Sequence, residues 1–311
     1  MRNQQSHNDS KGGVAWPPKV LYYTEMGVIR DSTHNWYPRD IGRSSELLPT
    51  HDRSNPNVSS YKVTKTQGNE IAPFIGKLDG DEDDWKIWSF GGIVMRTSEV
   101  GPDVWEGYTF FEVTKPIGPL KYQHQYTGIA EVFCNIVTGQ THTSRPKGSP
   151  SSLFRLQIHT LYLKGVMDIC IARVNPSYAM RREYYVFWDG VQWSSDIGSS
   201  VPIMPNMQHG QIFPTKMFGS SSPYIWAFVG CTAFGDNKVM MGRATSPEGP
   251  WDIQMAMAFS QPKDGLFRYC VYPHPWADNT KETGDLTISW SEGGMTGGVL
   301  MSKIRFAMEG L

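Results

Sequence analysis

At 311 residues and a net charge of -1, with no cluster of basic residues, the chain can bury a large core and is a poor match for a nucleic-acid partner. Its 31 glycines, 21 prolines, 11 tryptophans and 14 tyrosines, against 19% charged residues, suit many short strands broken by turns, and no convincing amphipathic helix is found. No apolar run approaches the ~20 residues of a membrane span.

The first segment, MRNQQSHNDSKGGVAWPP, is polar and lacks the apolar core of a signal peptide. As written, the chain is expected in the cytoplasm, or outside the cell if a leader has been removed. Residues 1–18 are expected to form a disordered lead-in ended by Pro17-Pro18, and residues 19–311 one β domain. KVLYYTEM, from Lys19, is the first strand and is expected to join the last blade. The segment from Asn35 through SSYKVTKT to IAPFI makes blade one.

DGDEDDW, Asp79 to Trp85, reads as a solvated acidic turn. Its alternating aspartates lack the glycine and terminal glutamate of a calcium loop. WSFGGIVMR, GYTFFEVTK, TGIAEVFCN and the weak QTHTSRP make blade two. LFRLQIHTLYL, MDICIARV and the aromatic YYVFW, closed by the turn Asp189-Gly190, make blade three. QIFPTKM, YIWAFVGC, NKVMMGRA and the Trp251 strand make blade four, and FRYCVYPHPW, DLTISWSE and GGVLMSKIRF blade five.

A repeat supports this division. Ala172-Arg173 before YYVFWDGVQW, Gly242-Arg243 before SPEGPW, and Ser302-Lys303 near the C-terminus stand in equivalent places. The offsets of about 70 and 60 residues fit a four-stranded propeller blade with generous loops, and roughly five units fill the chain. The expectation is an all-β, five-bladed β-propeller in a single domain with a central channel. Arg173 and Arg243 then read as blade-packing residues. The four cysteines, Cys134, Cys170, Cys231 and Cys270, each fall within an expected strand at no metal-ligand spacing, and read as buried free thiols.

In a propeller the first strand of each blade lines the channel, and ligands sit at one mouth of it. That logic selects Arg39 and Asp40 in blade one, Phe90 in blade two and Gln157 and His159 in blade three. Blade four contributes Gln211 and Phe213, and blade five Tyr269, Tyr272 and His274. The loop residue His51 joins Asp40 and His274 as the expected catalytic set, because ring closure would set blade five beside blade one. The others are expected to bind substrate. A histidine near its ordinary pKa of ~6.5 can exchange a proton with an acidic substrate while a carboxylate orients it.

The phrases RDIG, ICIARV…YYVFWDGVQW, RATSPEGPW and YPHPW resemble a five-bladed propeller superfamily that includes arabinanase-like glycosidases. The resemblance runs from about Lys19 to the end and implies carboxylates projecting from inner strands. Glycoside cleavage needs an acid and a base or nucleophile. Only Asp40 stands at a matching position. The family's Gly-Asp-Thr phrase is replaced by Pro49-Thr50-His51-Asp52, and neither WSFGGIVMR nor FRLQIHTLYL carries an acid. Glu112 and Glu131 fall on second and third strands, where a structural role is expected.

The chain is also similar to fungal hetero-Diels-Alderases of tropolone-sesquiterpenoid pathways, a resemblance carried by the blade phrases as a whole. It implies dehydration of a hydroxymethyl tropolone to a quinone methide, followed by cycloaddition with a macrocyclic terpene. A glycoside hydrolase and a non-catalytic sugar-binding propeller are the alternatives. No metal or organic cofactor is expected, since no ligand cluster or phosphate loop occurs. The expected partners are small apolar, aromatic molecules, with neither nucleic acid nor membrane, and a homodimer stays open.

Overall fold

A computed structural model describes residues 12–28, 75–78, 80–88, 94–96, 103–118, 121–135, 137, 141–145, 168–207, 209–232, 238–258, 268–292 and 298–309. The expected first blade, apart from Ile75, and the LFRLQIHTLYL strand lie outside them. The fold is an all-β propeller. Its one α-helix among the described residues, α1 (Thr280–Thr283), is a single turn, and no helix there is long and apolar enough to cross a membrane. The described residues gather into two compact units, a terminal one from 12–28 and 209–309 and a central one from 75–207.

Strands are numbered along the chain. β1 (Val20–Val28) belongs to the terminal unit. The central unit opens with β2 (Lys86–Trp88), β3 (Val94–Arg96), β4 (Val104–Gly118), β5 (Lys121–Asn135) and β6 (Thr141–Ser144). Here β2 and β3 both pair with β4, and β4, β5 and β6 run on as an antiparallel meander. β4 and β5 each extend over 15 residues, longer than the expected segments. Side chains alternate across a strand, and both faces are used. Phe111, Val113, Tyr126 and Ala130 form a core with Ile75, Trp85 and Ile87 on one face. Tyr108 and Ile129 pack on the other against Ala179, Tyr185 and Phe187.

The acidic turn is not wholly solvated, which corrects the sequence reading. Asp79 lies outside the described residues and Asp83 and Asp84 are exposed, but the Asp81 carboxylate is only 4% exposed. It accepts hydrogen bonds from Arg145 Nη1 at 2.5 Å and from the Tyr126 hydroxyl, while Arg145 Nη2 meets the same hydroxyl at 2.6 Å. The guanidinium also lies 4.8 Å over the Phe111 ring. A buried charge stands only when paired and hydrogen-bonded. The partner here sits 64 residues away in sequence.

MDICIARV is likewise not one buried strand. It splits into β7 (Asp168–Ile169) and β8 (Ala172–Arg173), with Ala172 and Arg173 exposed. The segment changes partner at Cys170-Ile171. β7 pairs with β11 (Met204–Pro205), whereas β8 pairs with β9 (Val186–Trp188), which continues to β10 (Trp193–Ser194). Of YYVFW, only Val186–Trp188 is strand. Tyr184 ends a 3-10 turn and Tyr185 enters the core. The Asp189-Gly190 turn forms as expected, with Asp189 Oδ1 accepting from the amides of Val191 and Gln192.

The terminal unit holds two complete meanders. β12 (His209–Pro214), β13 (Trp226–Cys231), β14 (Lys238–Ala244) and β15 (Asp252–Ala258) pair in order. β16 (Arg268–Pro273), β17 (Asp285–Glu292) and β18 (Gly298–Phe306) form the second, and β1 completes it by pairing antiparallel with β18, as expected of the first strand. β13 reads as a continuous apolar run because both faces are covered, with Ala227, Phe228 and Val229 almost wholly buried. Two complete meanders, the β2–β6 sheet and the small β8–β10 sheet give four recognisable blades among the described residues, against five expected.

Residues 12–18 of the expected lead-in are packed into the fold. Val14 is buried and donates its amide to Met217 O, while Ala15 and Glu309 bind across the strap to Ala307 and Gly13. The cause is apolar: Trp16 lies edge-on to Phe218 and Arg243 stacks on Trp16. The cysteines divide too. Cys231 is buried, Cys134 half-buried and Cys170 exposed; all three are free thiols.

The repeat behaves as blade packing. Arg243 lies between the rings of Trp16 and Tyr224, at 4.4 and 4.1 Å, and binds Asp252 at 3.2 Å, while Arg173 covers Trp193 at 4.2 Å. SPEGPW makes the turn into β15. Gly249 holds φ at 95°, and a Cβ there would meet Trp251 N at 2.9 Å. Trp251 Nε1 in turn donates to Pro247 O at 3.1 Å.

Candidate functional site

Among the residues singled out in sequence, Arg39, Asp40, His51, Phe90, Gln157 and His159 lie outside the described residues. The other five all fall in the terminal unit, on the first strands of its two sheets. β12 carries Gln211 and Phe213, and β16 carries Tyr269 and Tyr272, with His274 just past its end. β16 packs against β12 and β13. Of Tyr269 only the backbone is described, opposite Ser291.

His274 is the best-defined of them. Its amide donates to Thr287 O at 2.8 Å, and its Nε2 sits 2.8 Å from Ser289 Oγ. Tyr272 and Trp276 face the ring edge-on, with centroids 5.5 and 5.0 Å away. The spacing follows from the local fold. Tyr272 pairs with Ser289 across the β16–β17 ladder, so the residue two beyond Tyr272 projects from the same side toward that serine. Burial pushes the His274 pKa down to about 4 against a smaller opposing pull from the Asp278 charge. The imidazole is therefore neutral at pH 7. Burial also raises the Tyr272 phenol.

The β16–β17 connection holds this arrangement rigid. Asp278 accepts from the Thr287 amide at 2.6 Å and pairs with Lys303 at 2.9 Å, with its carboxylate 3% exposed. α1 then ends at Gly284 in the left-handed region, where a Cβ would strike Phe306 O at 2.6 Å. Beyond it Asp285 is clasped by both Nε and Nη2 of Arg305. The aspartates here are thus spoken for: Asp252 by Arg243, Asp278 by Lys303 and Asp285 by Arg305.

On β12, Gln211 is half-buried, and its Oε1 is buried with no hydrogen-bond partner among the described residues. Phe213 is 5% exposed, which commits its ring to the core. A cavity of about 260 Å³ in the terminal unit runs from Gly12 and Val14 to Arg243 and Glu309, and includes none of the singled-out residues.

Sequence reasoning missed Ser289, Trp276 and Asp278. Trp276 stands in the YPHPW phrase and could have been noticed. Ser289 has no local signal, because only the cross-strand register sets it against His274.

Among the described residues no three histidine, cysteine or acidic side chains gather as a metal site. No protein-family model matches the chain, and no curated protein matches it. A crystal structure from Bacteroides ovatus, of a protein provisionally named a hydrolase, is similar at 12% identity and a TM-score of 0.49, over 81% of this chain and 70% of that one.

Proposed function

We propose that this protein is a cofactor-independent enzyme that uses His274 as a neutral proton carrier on an apolar, aromatic substrate. The finer reading is a hetero-Diels-Alderase that dehydrates a hydroxymethyl tropolone and guides the resulting quinone methide onto a terpene alkene. The observation that supports it is the half-buried, neutral imidazole held on Ser289 between two aromatic rings, with the nearby aspartates committed to cations. A sugar hydrolase needs a second free carboxyl at a defined separation. The His274 site needs only a base and a dry wall.

The step balances as follows. The tropolone hydroxyl proton passes to the imidazole, the C–O bond of the hydroxymethyl group breaks, and the imidazolium returns its proton to the departing hydroxide as water. A neutral histidine supplies the base, on the scale of 10²–10⁴ for a positioned general acid–base. Exclusion of water protects the quinone methide. Holding diene and alkene together can contribute ~7–11 kcal/mol of entropy already lost on binding. Asp40 and His51 complete the proposal as orienting carboxylate and second proton carrier.

The test is product formation from a hydroxymethyl tropolone and a macrocyclic terpene with purified protein. His274→Ala and His51→Ala are each expected to lower the initial rate at least ~10-fold with parent-like melting, and Asp40→Asn less. Parent-like rates in all three variants would overturn the assignment. Sugar release from an arabinan, without cycloadduct, would put a glycosidase in its place.

A further inference from the structure

A separate cluster lies on the β2–β4–β5 sheet of the central unit. A β-bulge creates it. Val113 pairs with Tyr126 but Thr114 pairs with His124, so Gln125 is an extra residue on β5. Simple alternation would turn His124 away from Thr127. The bulge brings it round, and His124 Nε2 stands 3.1 Å from Thr127 Oγ1. Thr127 lies opposite Glu112, and Trp88 lies opposite Glu112 on the other side. Glu112 Oε1 is 3.9 Å from His124 Nε2.

Two rings flank the cluster. Trp88 Nε1 donates to Thr114 Oγ1 at 2.8 Å, which fixes the indole, and Tyr122 stands 5.7 Å from it at 82°. The two rings meet edge to face, and Glu112 lies directly across the β2–β4 ladder from Trp88. Burial raises the Glu112 pKa, and no cation among the described residues counters it. Part of its surface, 35% of the side chain, stays open.

We propose that Trp88, Tyr122, Glu112 and His124 form a binding site for an organic cation, a methylated ammonium of about the size of choline. Ring faces attract such a cation, more strongly when it leaves water. The carboxylate supplies the counter-charge that burial leaves it needing. His124 borders the site, 3.9 Å from the carboxylate. Among the described residues, the other charged groups near this face include Lys86, exposed on β2 beside Thr114, Glu131 and Glu106 farther along β5 and β4, and Arg182 and Glu183, exposed on the segment leading to Tyr185 and Phe187. The proposal is independent of the His274 reading.

The test is calorimetric titration of the full chain with choline chloride and with its neutral isostere 3,3-dimethylbutan-1-ol. Choline is expected to bind saturably at one site, and the isostere at least ~10-fold more weakly. Glu112→Gln, nearly isosteric, and Trp88→Ala should each weaken choline ~10-fold, and binding should fall as pH is lowered and the Glu112 carboxyl, its pKa raised by burial, takes a proton. Should Trp88→Ala fail to fold, Glu112→Gln and the isostere decide. Absence of saturable binding, equal binding of the isostere, or unchanged affinity in Glu112→Gln overturns the proposal.

Discussion

Two polar clusters in this protein differ in physics. In the central unit, Asp81, Tyr126 and Arg145 close a network in which both carboxylate oxygens and both terminal guanidinium nitrogens are used. In the terminal unit, His274 is uncharged and sits on one hydroxyl between two rings. With its carboxylate oxygens and terminal guanidinium nitrogens bonded, this network holds the fold together, and Arg145 Nε is left buried without a hydrogen-bond partner among the described residues. A neutral, lightly bonded imidazole can still accept a proton. Under the proposed function, the first cluster serves the structure and the second the chemistry.

The largest expected effect breaks the structural cluster. Arg145→Ala leaves the Asp81 carboxylate buried and unpaired, and should cost ~3–5 kcal/mol, read as a lowered urea midpoint. A loss under ~1 kcal/mol would mean that Asp81 is solvated after all.

Acid should separate the two clusters by window. Burial lowers His274 to about 4, so the unfolded chain takes that proton first, near ~6.5. Its contribution is complete above ~6.5 and is lost as pH falls toward 4, on the order of 3 kcal/mol. For Asp81, burial would raise the carboxyl, but the hydrogen bonds from Arg145 and Tyr126 outweigh it and hold the pKa below 3.8. Its contribution is present above that ordinary value and disappears only as pH falls through the folded one. Stability–pH curves of the parent and His274→Asn should differ between about 6.5 and 4 and run parallel below. Identical curves would remove the buried-histidine account.

Two smaller effects grade the comparison. Arg243→Ala removes a cation held between two rings and bonded to Asp252, and should cost ~1–2 kcal/mol in thermal stability with turnover unchanged. Ser289→Ala removes one hydrogen bond to His274, worth ~1 kcal/mol, and should lower turnover roughly fivefold. An equal loss in Ser289→Ala and His274→Ala would make the hydroxyl and the ring one unit.

Much of the fold was legible because its signals are local. Alternation, turn glycines and the recurring Arg or Lys positions marked β12–β18, and the first strand was correctly assigned to the last sheet. MDICIARV misled because apolar content does not reveal that the segment changes partners at Cys170. DGDEDDW misled because Arg145, which buries Asp81, is remote in sequence. The site was only half legible. His274 stood out between two prolines, but Ser289 is placed by register, and His124 reaches Glu112 through a bulge that no composition signals.

The most direct measurement is the titration of the His274 ring by nitrogen-detected NMR, with His274→Asn as the assignment control. A ring that stays neutral through pH 5 and titrates at about 4 is the result expected of a buried proton acceptor. A pKa near or above the ordinary ~6.5 would show a solvated or ion-paired histidine, and would contradict the desolvated site assigned to it.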